Sequence, residues 1–201
     1  MHNNIGIIGV GGIGSWLSFF IHNLLEQKQL NDVRIDLIDD DTVEDKNIRY
    51  QFFRDHEIFD PKVEALENYF GDTRIRGLCK KITESREFNG YDVLICCVDN
   101  NGLRKMLFEW AEKNPRCYWI DLRSEGRTFY IAHQHPDNTY KHMLATLGKD
   151  LETSTSCQRK YELEQGIIQQ GNKIVAVIAS QYLLNYVRGE KNVRAEFTLT
   201  I

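Results

Sequence analysis

The chain has 201 residues, of which 42% are hydrophobic and 27% charged, and its formal net charge is −4 at pH 7. This composition predicts one folded domain over residues 1–201, with enough apolar side chains for a proper core. The mildly acidic balance gives no general case for nucleic-acid or membrane binding, and no apolar run reaches the roughly 18 residues of a membrane span. The first residues carry no secretory or transit signature, so we expect a cytoplasmic protein.

The five cysteines do not form a pattern typical of a disulfide or zinc framework. There is no C-x-x-C pair, and Cys96 and Cys97 are adjacent within an apolar run, where cysteine is usually a small core residue. We therefore expect neither a set of disulfides nor a bound zinc ion.

Apolar runs alternate with helical periodicities through the first part of the chain. Strands are predicted at residues 5–10, 33–38, 78–83, 92–98 and 117–122, and helices at 15–29, from Pro61 onward and at 102–113. This alternation predicts an α/β fold with a Rossmann-like, doubly wound, mostly parallel sheet.

The pattern changes after Arg123. A long strand is predicted at 127–135, polar irregular structure at 137–157, an apolar helix at 174–187 and a last strand at 195–201. We expect antiparallel strands added to the C-terminal end of the sheet.

A glycine-rich turn joins the first strand to the first helix. Gly9 permits the tight turn, Gly11 lets the backbone approach a phosphate, and Gly14 lets the helix pack on the strand. The backbone N–H groups from Gly12 to Ser15 form an anion site at the start of the helix. This turn predicts nucleotide binding, and by itself it leaves a dinucleotide such as NAD or FAD open.

Three consecutive acids follow the second strand. Asp39 ends that strand, where a carboxylate accepts hydrogen bonds from ribose hydroxyls in nucleotide-binding α/β folds. Asp41 is a second candidate for the same role, and a solvated acidic turn is the alternative interpretation.

Two longer stretches narrow these possibilities. Residues 39–66 resemble the ThiF/MoeB-type adenylyltransferases and the ubiquitin-activating enzymes, with matches at Asp39, Asp41, Val43, Asn47, Gln51 and Lys62. Asp99-Asn100 and Arg104 are similar to the family's Asp-Asn-x-x-x-Arg element. The later strands, the loop containing Cys157 and the helix from Ile174 extend the resemblance over nearly the whole chain.

The resemblance implies a reaction and a site. Such enzymes join a carboxylate, usually the C-terminal glycine of a ubiquitin-like or sulfur-carrier protein, to the α-phosphate of ATP. It implies that Lys62 and Arg49 face the phosphates, that Asp99 holds Mg²⁺, that Asn47 orients a phosphate or ribose oxygen, and that Cys157 accepts the acyl group. The implied partners are a carrier ending in Gly-Gly and a second copy of the chain as a homodimer.

Three departures from the family pattern bear on catalysis. Tyr50 stands where the family has arginine, with Arg49 one residue earlier. Cys157 is the sole cysteine of residues 136–157, so the family's zinc cysteines are missing, and no arginine precedes the first strand.

Three other functions remain open on the sequence. A catalytically impaired scaffold would keep the nucleotide pocket without turnover, which Tyr50 favours. An ATP-using enzyme could act on a small molecule or a tRNA. A nicotinamide oxidoreductase explains the glycines and Asp39, but leaves Asn47, Lys62 and Asp99 unexplained.

Overall fold

The structure of the protein, a computed structural model, describes residues 3–125, 127–147, 165, 167–192 and 194–200. The strands are β1 (Asn3–Ile8), β2 (Val33–Asp39), β3 (Ile75–Cys79), β4 (Val93–Cys96), β5 (Tyr118–Glu125), β6 (Thr128–His133) and β7 (Glu196–Thr200). The helices are α1 (Gly12–Glu26), α2 (Lys62–Phe70), α3 (Asn101–Lys113), α4 (Tyr140–Ala145) and α5 (Gly171–Val187). Short 3-10 helices span Asp45–Asn47, Asp55–Glu57 and Ser85–Phe88.

The seven strands form one sheet in the order β3-β2-β1-β4-β5-β6-β7. Strands β1 to β5 are parallel, whereas β6 is antiparallel to β5 and β7 is antiparallel to β6. The predicted α/β class, with its mostly parallel sheet and antiparallel C-terminal strands, is confirmed. The order reverses beside β1, which pairs with both β2 and β4, and such a reversal opens a crevice at the carboxyl ends of the strands.

Helices cover both faces of the sheet. On one face, α1, α2 and α5 bury an apolar core that includes Leu17, Leu66 and Leu183. On the other face, α3, α4 and the 3-10 helix Ser85–Phe88 bury a second core that includes Phe88 and Phe108. None of the described helices combines the length and hydropathy needed to cross a bilayer.

Some predicted boundaries were wrong. The third strand is Ile75–Cys79 rather than 78–83, because Arg76 and Gly77 hide the apolar alternation while the strand pairs with β2 from Ile75 onward. Gly77 lies so close to α2 that an added Cβ would be 2.9 Å from the Val63 carbonyl oxygen. The first helix begins at Gly12 rather than Ser15, and Pro61 caps α2 instead of occupying its first turn.

The stretch expected to be irregular contains a helix. α4 is six residues long, too short to show a periodic pattern, and the Thr139 side chain caps it by accepting a hydrogen bond from the His142 amide at 3.3 Å. The rest of that stretch, from residue 148 and including Cys157, lies outside the described residues.

Candidate functional site

A cavity of about 460 Å³ lies at the carboxyl edge of the parallel strands, where the strand order reverses. Its wall consists of Ile8, Gly9, Gly11, Gly12, Ile38, Asp39, Asp40, Asp41, Glu44, Lys46, Asn47, Tyr50, Gln51, Lys62, Lys80, Lys81, Ile82, Cys97, Val98, Asp99, Asn100 and Leu103. Most of the site residues predicted from sequence are therefore brought to one place, although they are far apart in the chain.

The glycine turn is closely packed against the protein at Gly9 and Gly14, and it is open toward the cavity at Gly11. Gly9 has φ +83°, a left-handed conformation that favours glycine, and an added Cβ would lie 2.9 Å from Val98 Cγ1. A Cβ on Gly14 would lie 1.9 Å from the Gly9 carbonyl oxygen, so α1 packs directly on the turn. At Gly11 the nearest atom would be Gln51 Nε2 at 3.9 Å. The turn has room for a ligand at Gly11 and none at Gly14.

Asp39 holds the turn to the end of β2. Its carboxylate accepts hydrogen bonds from the Val10 amide at 2.7 Å and from the Asp41 amide at 2.8 Å. Burial raises the pKa of Asp39, while the nearby Lys62 ammonium and the hydrogen bonds from the two backbone N–H groups oppose this shift. Each carboxylate oxygen retains a lone pair for a further donor. Asp39 thus lies on the cavity wall as a positioned acceptor.

Lys62 is a buried cation at the start of α2. Its side chain is 6% exposed, and its Nζ lies 2.7 Å from Oδ2 of Asp41, whose side chain is 66% exposed. The Lys62 amide also donates to the Asp41 carbonyl oxygen at 3.0 Å. Because a buried ammonium group must keep a partner, a phosphate entering the cavity could take the place of the exposed Asp41 carboxylate.

The segment from Asn47 to Gln51 forms another part of the wall. Asn47 is buried, and its Oδ1 accepts from the Glu44 amide at 2.9 Å. Gln51 is 7% exposed, and its Oε1 has no hydrogen-bond partner among the described residues. An unpaired buried amide oxygen costs about 1–3 kcal/mol, so a ligand donor in the cavity would relieve this cost.

Tyr50 lies on the cavity wall, whereas Arg49 is exposed and outside it. The Tyr50 carbonyl oxygen accepts from Trp16 Nε1 at 3.0 Å, and the Phe52 amide donates to Ser15 Oγ at 3.0 Å. These bonds fix the segment to the first turn of α1. They set its direction, which places the phenol and not the guanidinium at the cavity.

Asp99 and Asn100 follow β4 and have different roles. Asp99 is exposed on the cavity wall and makes no hydrogen bond or ion pair within the described part of the chain, so its carboxylate is open to a ligand. Asn100 caps α3, because its Oδ1 accepts from the Leu103 amide at 3.0 Å. Asp99 therefore offers a free hard oxygen ligand at the carboxyl edge.

Arg104 lies away from the cavity. It is 3% exposed, its Nε lies 2.9 Å from Oδ1 of the fully buried Asp121, and it donates to the Leu122 carbonyl oxygen at 3.0 Å. Arg123 contacts the other Asp121 oxygen at 2.7 Å. The arginine of the Asp-Asn-x-x-x-Arg element thus joins α3 to β5.

Three lysines on the cavity wall were missed from the sequence. Lys46 pairs with Glu44 at 2.8 Å, Lys80 pairs with Glu87 at 3.0 Å, and Lys81 makes no ion pair within the described residues. Lys80 and Lys81 directly follow β3, so a correct end for that strand would have placed them at this edge.

Two of the described cysteines, Cys96 and Cys117, have thiols that burial makes unreactive. Burial raises the pKa values of Cys96 and Cys117 to about 12, which makes both thiols poor nucleophiles at neutral pH. The predicted acyl acceptor, Cys157, lies outside the described residues.

Comparison with known proteins shows the family. The sequence profile of the ThiF family matches residues 2–201. The chain belongs to the ThiF family. A search of curated proteins gives no match.

Solved structures share the fold at low sequence identity. Escherichia coli MccB has TM-score 0.72 and 13% identity, over 99% of this chain and 59% of its own. PaaA has TM-score 0.66 and 15% identity, over 99% and 61%. E. coli tRNA N6-threonylcarbamoyladenosine dehydratase, TcdA, has TM-score 0.66 and 16% identity, over 93% and 86%. The ThiF chain described here spans about 60% of the length of MccB and PaaA.

Proposed function

We propose that this ThiF-family protein is an ATP-dependent adenylyltransferase that activates a substrate carboxylate. The observation that carries the proposal is the convergence of the glycine turn, buried Lys62 and exposed Asp99 on one cavity. Family membership supports the same reaction class. The solved MccB structures include complexes with ATP and with AMPCPP and MccA.

In the proposed reaction, a carboxylate oxygen attacks the α-phosphorus of ATP and forms a P–O bond. The bond from that phosphorus to the bridging oxygen breaks, and pyrophosphate leaves with the electron pair. Because two anions approach each other, fixed positive charge at the phosphates lowers the barrier. Lys62 supplies such a charge from a buried position, and the amides at the start of α1 bind phosphate oxygens.

The donor set also fits Mg²⁺. Asp99 offers a carboxylate that has no partner in the described part of the chain, and magnesium prefers hard oxygen ligands alongside substrate phosphates. When bound, the ion would offset the charge of the triphosphate. Under this proposal Asp39 accepts hydrogen bonds from the ribose hydroxyls, and Asn47 orients a phosphate or ribose oxygen. Gln51, whose Oε1 has no partner among the described residues, lies on the same cavity wall.

We propose the C-terminal carboxylate of a small protein or peptide as the substrate. A ubiquitin-like or sulfur-carrier protein ending in Gly-Gly follows from the family resemblance, and the MccB complexes with MccA are consistent with it. The TcdA likeness keeps a tRNA-linked substrate as the competing proposal. A cytoplasmic homodimer that transfers the acyl group to Cys157 completes the proposal.

Tyr50 favours a second function, that of a scaffold which binds ATP without turnover. The cavity wall has a phenol at this position, and Arg49 lies outside the wall. Tyrosine supplies no positive charge to the phosphates. Under this second proposal Tyr50→Arg would create pyrophosphate exchange that the unmodified protein lacks.

The deciding experiment is ATP–pyrophosphate exchange driven by peptides and ubiquitin-like proteins with a free C-terminal carboxylate. The same substrates with a C-terminal amide are the control, because an amide cannot form the acyl-adenylate. We expect exchange with the carboxylates alone, its loss in Asp99→Ala, and its retention in Asp55→Ala, an exposed carboxylate outside the cavity. ATP binding without exchange would favour the scaffold, and a thermal shift with NAD⁺ alone would refute both functions.

A further inference from the structure

A second groove, of about 570 Å³, crosses the first three strands on the face opposite α2. Val33, Ile35 and Leu37 of β2 point into the core beneath α1 and α2, so the alternating Arg34 and Asp36 point to the other face. Residues 80–92 connect β3 to β4 with a 3-10 helix as their sole described helical turn, and none of the described α-helices contributes a residue to the groove. We call this surface the back groove.

The back groove has a fixed polar floor. Asp36 accepts two hydrogen bonds from Arg76, at 3.0 and 2.9 Å, and a third from the Tyr91 hydroxyl at 2.8 Å. Burial and the neighbouring Asp36 raise the pKa of Tyr91, so the phenol remains a donor. Arg76 is therefore held in place, and the N–H groups not used by Asp36 remain for a ligand.

The lining of the groove is positive although the protein is acidic overall. The cations that line it are Arg34, Arg74, Arg76 and Lys80, and the carboxylates are Asp36 and Glu87, in a chain of formal net charge −4. Arg74 pairs with Asp72, Arg76 with Asp36 and Lys80 with Glu87, which leaves a net positive charge at Arg34. Arg34 is exposed and makes no ion pair within the described residues. The groove thus concentrates guanidinium groups, which bind carboxylates bidentately.

We propose that the back groove docks an acidic segment, rich in Asp and Glu, of a partner protein. The net positive charge of the groove complements such a segment, and Arg34, which makes no ion pair among the described residues, is placed to pair with it. Because the chain as a whole carries a formal net charge of −4, the surface outside the groove repels a long phosphate backbone more than a short acidic segment, which favours a peptide over a nucleic acid. Lys80 lines both the back groove and the nucleotide cavity, so a docked partner lies beside the adenylation site. The proposal goes beyond the reaction and does not depend on it.

The test is fluorescence anisotropy of a fluorescein-labelled octaglutamate peptide at low and at high salt, with a labelled oligothymidine of equal charge as the competing class. Arg34→Glu and the milder Arg34→Gln are compared with Arg116→Glu, which makes the same charge reversal at an exposed arginine outside the groove. Melting temperatures check that each variant folds.

We expect binding of octaglutamate at low salt, at least tenfold weaker binding by Arg34→Glu, an intermediate loss in Arg34→Gln and a less than twofold change in Arg116→Glu. The proposal is overturned if the unmodified protein does not bind the peptide, if Arg34→Glu and Arg116→Glu weaken binding equally, or if the oligothymidine binds more tightly. ATP–pyrophosphate exchange measured on the same Arg34 variants reports separately on the proposed reaction.

Discussion

Two single-methyl substitutions in the glycine turn allow effects on stability and effects on ligand binding to be measured separately. In Gly14→Ala the added carbon would lie 1.9 Å from the Gly9 carbonyl oxygen, whereas in Gly11→Ala the nearest atom would be 3.9 Å away. Gly14→Ala disrupts the packing of α1 on the turn. Gly11→Ala leaves the packing intact and fills space on the cavity wall.

The expected magnitudes follow from these contacts. Real Cβ atoms essentially never approach within 3.0 Å of such an atom, so the backbone around Gly14 must yield by about 1 Å. Overpacking against backbone costs about 3 kcal/mol, and the better helix propensity of alanine returns about 1 kcal/mol. The net loss of about 2 kcal/mol lowers the melting temperature by about 4–8 °C for a domain of this size. At Gly11, the N-cap of α1, alanine costs about 1 kcal/mol, or about 2–4 °C.

The assay combines thermal unfolding of the ligand-free proteins with ATP–Mg²⁺ binding by calorimetry. We expect Gly14→Ala to show the larger loss of stability, and Gly11→Ala to bind ATP at least tenfold more weakly while remaining folded. Unchanged ATP affinity in a folded Gly11→Ala protein would refute a phosphate at this turn. A melting temperature equal to that of the unmodified protein in Gly14→Ala would refute the described packing.

Three further substitutions test individual features. Phe59 has φ +78° and is 85% exposed, so Phe59→Gly is expected to stabilise the protein by about 0.5–1 kcal/mol in urea unfolding; Phe59→Ala, which keeps the strained Cβ, should give no gain. Arg104→Met removes one of the two partners of buried Asp121, and we expect a loss of about 3–5 kcal/mol by the same measurement. Burial lowers the pKa of His133, so stability should be complete above its ordinary value of about 6.5 and fall as the pH drops below it. His133→Gln should flatten this acid slope between pH 7 and 5, and an unchanged slope would show that another group causes it.

Much of the candidate site could be predicted because it depends on local patterns at strand ends. The glycine turn, Asp39 and Asp99 each follow directly after an apolar run, and parallel strands bring their carboxyl ends to one edge. Lys62 was found through the family resemblance, and its burial beside Asp41 is a property of the folded chain. Their roles in binding and catalysis remain predictions.

Other parts depend on contacts that a linear pattern does not contain. Lys80 and Lys81 were missed because the sequence pattern extends the third strand to residue 83, whereas β3 ends at Cys79. The orientation of Tyr50 and Arg49 depends on hydrogen bonds between their segment and Trp16 and Ser15, which belong to α1. The left-handed conformation of Phe59 is likewise fixed by a contact between distant residues, since its backbone N–H donates a hydrogen bond to the Val43 carbonyl oxygen at 2.9 Å.

Asp39 also has a consequence for the dynamics of the two loops that it joins. The Val10 amide lies in the glycine turn and the Asp41 amide lies beyond β2, and both donate to the same carboxylate. Loop amides ordinarily exchange with solvent deuterium quickly, since they open with little free energy. Here the displacement of the Asp39 side chain exposes both backbone N–H groups. We therefore expect the two groups to exchange slowly and at the same rate, as one cooperative opening unit. The two sides of the cavity would then fluctuate together rather than independently.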